Sequence, residues 1–130
     1  MKRHRGSTMV ESTLVATVYL LLLVAIMECG RLGFAYNSVS FAAHRAARYA
    51  ALRGASSGHP ASTGDVAAEA NSLLVALDAA NVTVATTWTP NNQPGGTVQV
   101  TVQYGFRTLL VPMSANLMTL STTSRQVVVQ

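Results

Sequence analysis

Apolar and polar residues divide this chain into a long helix and a smaller mixed region. Residues 12–27 are interrupted only by Ser12, Thr13, Thr17 and Tyr19, and their centre reads Tyr-Leu-Leu-Leu-Leu-Val-Ala-Ile-Met. As a helix this run spans about 24 Å, against about 30 Å for the hydrocarbon core of a bilayer. Adding Met9 and Val10, with Glu11 and Glu28 near the two interfaces, gives a sufficient membrane span over about 9–28. Serine and threonine are tolerable there because their hydroxyls bond back to the helix backbone. No turn signal follows Met27. Gly30 and Gly33 each weaken a helix by about 1 kcal/mol relative to Ala, but an alanine-rich stretch at 42–51 renews it. Leu32, Val39, Ala43, Ala46 and Ala50 recur at helical spacing, and His44, Arg45 and Arg48 gather on another side. Gly54 is a stop signal, and Arg53 suits a last turn. The pattern predicts one helix over about 7–53, about 70 Å long, that crosses the bilayer and protrudes beyond it.

The remaining residues read differently. Residues 54–64 are a loop by composition. A second helix is predicted over 65–80, capped by Thr63 or Asp65, with Val66, Leu73, Leu74 and Leu77 as its apolar stripe and Glu69 and Asn71 toward solvent. Residues 82–88 are rich in Val and Thr with partial alternation, 89–96 form a turn, and 97–107 alternate cleanly. Val98, Val100, Val102 and Tyr104 face one way, while Thr97, Gln99, Thr101 and Gln103 face the other. These two strands predict a hairpin. Residues 109–116 are apolar but irregular and read as a connection on the surface of the domain or of the membrane; 118–129 form a third strand. Three strands can hide one face against a helix, and the outer half of the long helix offers further cover. The expected fold class is α+β.

Composition sharpens this picture. The chain has 130 residues, 49% apolar and only 11% charged, whereas soluble domains carry roughly a quarter charged residues. The net charge of +4 is concentrated in the head. Without Lys2, Arg3 and Arg5, six cations face five acids, a net of +1. Three cations without aromatic platforms argue against a nucleic-acid partner. Beside an apolar helix they set topology, with the N-terminus cytoplasmic and the rest extracytoplasmic. Cys29 is the sole cysteine, so neither an intrachain disulfide nor a cysteine cluster can form.

Candidate chemistry is sparse. His4, His44 and His59 do not make a metal spacing. His44 and Arg48 form a solvated or interfacial face, the alternative being contact with a lipid headgroup or a partner helix. Asp65 and Glu69 lie near a helix start, where negative charge is favoured. Gly95-Gly96 lacks the spacing and Lys-Ser/Thr pair of a phosphate loop. No nucleophile, base and orienting group fall together, so no enzyme activity, cofactor or metal is expected. Glu11 and Glu28 stand apart: seventeen residues on a helix separate them by about 26 Å. Glu28 can pair with Arg31 at i,i+3 near the outer interface. Glu11 needs a cation, and a chain amine freed just before Ser7, its own or a neighbour's, would lower the cost of burying it.

The residues Arg5-Gly6-Ser7-Thr8-Met9-Val10-Glu11 resemble the processing site of type IV prepilins and pseudopilins. More narrowly, Val10-Glu11, Glu28-Cys29-Gly30-Arg31, Tyr36-Asn37 and Ala46-Ala47-Arg48-Tyr49-Ala50 resemble the TadE-like pseudopilins of tight-adherence (Flp-type) pilus systems. Cys29 stands where an aromatic residue is common in that family. The resemblance is strong over about 5–54 and only general beyond. It implies a pilin-like fold and cleavage between Gly6 and Ser7 by a prepilin peptidase. It also implies a helix-packing role for Glu11, the fifth residue of the mature chain. Glu28, Gly30, Arg31, Tyr36, Asn37, Arg48 and Tyr49 are its motif and interface residues. With the leader that it implies at 1–6, the expected division is a long helix at 7–53, a loop at 54–64 and a small extracytoplasmic domain at 65–130.

The implied function is that of a non-enzymatic minor subunit supporting assembly or initiation of a pilus or related secretion filament. Its partners would be the prepilin peptidase, other pilins or pseudopilins, an inner-membrane assembly platform and the lipid bilayer. Its location would be the cytoplasmic membrane, crossed once, or the pilus itself. The competing expectation is an unprocessed single-pass anchor whose external domain binds a partner.

Overall fold

The computed structural model describes residues 4–109 and 118–129. Lys2, Arg3, the side chain of Arg5 and the connection at 110–117 lie outside the described residues. Helix α1 (His4–Leu52) is followed by α2 (Thr63–Ser72), a 3-10 turn (Ala79–Asn81), and strands β1 (Val82–Thr89), β2 (Thr97–Phe106) and β3 (Met118–Val127). The strands form one antiparallel sheet in the order β1-β2-β3. The fold is therefore α+β, with one long apolar N-terminal helix lying across a three-stranded sheet.

The sheet covers only the second half of α1. Ala35, Val39, Ala42, Ala43, Ala46, Ala47, Ala50 and Ala51 are buried, at the i, i+4, i+7 spacing of a single face. They meet Val98, Val100 and Val102, alternate residues of β2 that are also fully buried. Alanine offers little apolar area, but it lets the sheet approach closely enough for the valines to fill the interface. Val66, Ala70 and Leu74 close the core from the side of α2. A smaller cluster, Ala35 with Phe106 and Leu120, continues the packing down α1, flanked by Leu32, Leu77 and Tyr104.

Both strands of the expected hairpin are present within a residue of their expected ends. Val98, Val100, Val102 and Tyr104 share the covered face. The turn at 90–96 depends on two glycines. Gly95 has φ +88°, and a Cβ on Gly96 would lie 2.5 Å from the carbonyl oxygen of Asn91. Beyond β3, the Val128 N–H donates to Gly96 and the Gly95 N–H to Val128. The Val129 N–H donates to the Ala51 carbonyl in the last turn of α1.

Several boundaries differ from expectation. Helix α1 covers His4–Leu52, ending one residue before Arg53; near its end the Ala50 carbonyl accepts from the Arg53 N–H and the Ala51 carbonyl from the Val129 N–H. The second helix does not extend over 65–80. It stops at Ser72, where the Leu73 N–H bonds back to Ala70 and Asn71, and tight turns carry the chain to the 3-10 segment begun by Asp78. Leu74 and Leu77 reach the core through those turns and not along a helical stripe. The cap is Ser62, neither Thr63 nor Asp65. Its hydroxyl accepts from the Asp65 N–H while the Asp65 carboxylate accepts from the Ser62 N–H, a reciprocal capping box.

Two outcomes follow from this packing. Ala46→Leu forces extra volume between α1 and β2 and should destabilise the domain by about 1–3 kcal/mol, read as a lower unfolding midpoint in detergent. The bonds from Ser62, backbone first and then hydroxyl, hold the Asp65 carboxyl below the usual aspartate range. Its stabilising effect is complete above the ordinary aspartate pKa and fades as pH falls through the lowered folded value. Amide exchange in the first turn of α2 should accelerate over that acidic window, and Asp65→Asn should abolish the titration.

Candidate functional site

The residues singled out above fall on α1 in three groups that do not converge into one pocket. The first group is Gly6, Ser7 and Glu11, all exposed in the opening turns of the helix. Glu11 has no hydrogen-bond or ion-pair partner among the described residues. Above it Thr13 Oγ1 donates to the Met9 carbonyl and Thr17 Oγ1 to the Thr13 carbonyl, each at 2.8 Å. These hydroxyls are thus satisfied within the helix, and the surface around them is apolar.

That surface has no protein cover. Met9, Val10, Leu14, Val15, Val18, Leu20, Leu21, Leu22, Ile26 and Met27 are all more than half exposed. An apolar window of mean hydropathy 2.2 within this helix is entirely unburied. Leaving such side chains in water costs on the order of 10–20 kcal/mol relative to burying them, comparable to the whole stability of a domain. The helix is long and apolar enough to cross a membrane, a placement that would remove that cost.

The second group is a clasp at the upper end of the apolar stretch. Glu28 is 9% exposed. Its Oε1 accepts from Arg31 Nη1 at 2.7 Å and from the Leu109 N–H at 3.2 Å. The Arg31 guanidinium also lies over the Phe106 ring, 5.3 Å from its centroid. The expected i,i+3 pair is therefore present, but it does more than sit at an interface. It ties α1 to the end of β2 across 81 residues of sequence. Glu28 Oε2 is buried and accepts no hydrogen bond among the described residues. Gly30 lies beside this clasp, where it helps to line a cavity of about 270 Å³ with Arg31, Phe34, Ala76, Leu77 and Phe106.

The third group divides between covered and free faces. Tyr36, Asn37 and Arg48 are exposed, and a Cβ on Gly33 would meet nothing. Asn37 and Arg48 share one exposed side of α1 with Phe34, Phe41, Arg45 and Leu52, whereas Tyr36 is exposed on the helical line that carries the buried Ala43 and Ala47 higher up. Tyr49 is half-buried. The Arg53 guanidinium stacks 4.5 Å from its ring centroid and donates to its hydroxyl. His44 is exposed as expected, yet its Nδ1 lies 3.0 Å from Ser124 Oγ. Ser124 is buried in β3, so this contact fastens α1 to the sheet. Among the described residues no group of three His, Cys, Asp or Glu side chains lies together to hold a metal.

Leu109, Phe106 and Ser124 are the contributors that reading the sequence missed. Each acts through a backbone group, a ring or a hydroxyl with no local signature, and each partner is far away in sequence.

A family profile described as TadE-like protein matches residues 6–48. It spans the apolar segment, Glu11, the Glu28–Arg31 clasp and much of the alanine row, about a third of the chain, and so links this part to TadE-like proteins. No curated protein and no solved structure matches the chain.

Removing the clasp separates helix from sheet at its lower end. Glu28→Ala leaves Arg31 and the Leu109 N–H without their shared acceptor and should cost about 2–4 kcal/mol. Glu28→Gln keeps an acceptor oxygen and should cost less. Urea unfolding of the full chain in detergent measures both.

Proposed function

We propose that this chain is a non-enzymatic, membrane-anchored pilin-like subunit, a pseudopilin that supports assembly or initiation of a tight-adherence pilus or related secretion filament. One observation carries the reading. The segment matched by the TadE-like profile contains the whole apolar half of α1 that the chain's own sheet leaves uncovered. A helix with one half seated on a domain and the other bare suits transfer from lipid to a bundle of neighbouring helices.

In this reading the basic head, Lys2, Arg3 and Arg5, keeps the N-terminus cytoplasmic and the α/β domain outside. A prepilin peptidase removes residues 1–6 between Gly6 and Ser7. That bond lies in the first turns of the described part of α1, where Gly6 adds little resistance to unwinding. The new amine at Ser7, or that of a neighbouring subunit, then pairs with Glu11 as the helix leaves lipid. Other pilins or pseudopilins pack on the exposed surface of α1 at Gly33, Tyr36, Asn37 and Arg48. An inner-membrane assembly platform receives the subunit. No nucleic acid, cofactor or metal enters this account.

The test is the intact mass and N-terminal peptide of the protein from its native membrane, with and without active prepilin peptidase. A chain beginning at Ser7 only when the peptidase is active supports the reading. A chain that keeps Met1–Gly6 despite active peptidase overturns it and leaves an unprocessed anchor with a partner-binding domain. Glu11→Gln should still insert and be cleaved, but its recovery in sheared filament fractions, or in complexes with other pilin-like subunits, should fall by about tenfold or more.

A further inference from the structure

The end of the α/β domain nearest Glu28 presents a second apolar surface, separate in sequence from the helix. The Glu28–Leu109 bond fixes its height. Glu28 ends the apolar stretch, and the Leu109 backbone lies within one glutamate side chain of it. Leu109 is 72% exposed. Met118 pairs with Phe106 in the sheet, and Phe106 lies under Arg31, three residues above Glu28. Met118 is 49% exposed. Val75, 89% exposed, precedes Ala76, which shares a cavity lining with Gly30 and Arg31. Ile26 and Met27, also largely exposed, continue the layer on α1 itself.

We infer that this end of the domain seats on the bilayer, with Val75, Leu109 and Met118 entering the headgroup–acyl boundary beside the helix. The inference rests on the membrane-anchored reading above and extends it from the helix to the domain. Lipid is the occupant that the geometry favours, because the surface lies where the membrane-spanning stretch ends and is continuous with it. Large apolar side chains at such a boundary bury area at a depth of about 5–10 Å. The clasp thus acquires a second consequence. By holding residue 109 to the end of the apolar stretch, Glu28 prevents the domain from riding free above the membrane.

Depth-dependent fluorescence quenching tests this in the full chain, reconstituted in phosphatidylethanolamine–phosphatidylglycerol vesicles containing doxyl-labelled phospholipids. Native Cys29 carries one label as a marker of the interface. In a Cys29→Ser background, single labels are placed by Leu109→Cys, Met118→Cys, Leu20→Cys and His59→Cys, the last in the loop beyond the far end of α1. Labels at 109 and 118 should report the depth of the Cys29 label, with Leu20 deeper and His59 unquenched. If 109 and 118 behave like His59 while Leu20 is deeply quenched, the helix is an anchor but the domain does not seat on lipid. If Leu20 is also unquenched, the anchored reading and this inference fall together. Photo-crosslinking of the unmodified chain to headgroup-diazirine lipids guards against label-induced misfolding. Lipid recovered on peptides containing Val75, Leu109 or Met118 supports the inference, and lipid confined to peptides of α1 overturns it.

Discussion

A helix of 49 residues carries more apolar surface than the rest of this chain can cover. Every other feature follows from how that surface is divided. The upper half presents alanines and one valine, small enough for a sheet to lie close. The lower half presents leucines, isoleucine and methionines that are mostly more than half exposed. The change occurs near Glu28, where a carboxylate replaces the apolar pattern and binds both its own helix and the chain leaving β2.

This division explains why the sheet can be so small. Three strands bury only one face, and their other face is mainly threonine, serine and glutamine. A sheet of that size is marginal alone, so α1 forms the main wall of its core and not an accessory cover. The contacts that secure it are spread along the helix: the Glu28 clasp below, His44–Ser124 in the middle, and the bond from Val129 to Ala51 at the top. Helix and sheet are thereby coupled at several heights, and a pull on the buried half of the helix is transmitted to the domain.

The arrangement also separates two kinds of residue within the segment that resembles TadE-like proteins. Glu28 and Arg31, and Tyr49 just beyond that segment, face or brace the chain's own domain. Glu11, Tyr36, Asn37 and Arg48 remain open to lipid, solvent or neighbours. A motif continuous in sequence thus serves both internal packing and outward contact. The difference comes from the helical turn, which places residues three or four apart on one face and their immediate neighbours elsewhere.

Much of the architecture was legible in the sequence because it depends on local periodicity. The unbroken α1, the alternating β2 and the Glu28–Arg31 pair all arise from residues close together in the chain. The end of α2 was not legible, since Leu73, Leu74 and Leu77 keep a helical spacing while tight turns deliver them to the core. Ser62 was missed as a cap because Thr63 and Asp65 are chemically equivalent candidates beside it. Only the tertiary structure decided that Glu28 holds Leu109, that His44 meets Ser124, and that Val75, Leu109 and Met118 share a level with the end of the apolar stretch. Sequence determines which surfaces each element offers through short-range sterics and spacing. Which distant groups then meet depends on how closely the alanine face of α1 admits the sheet.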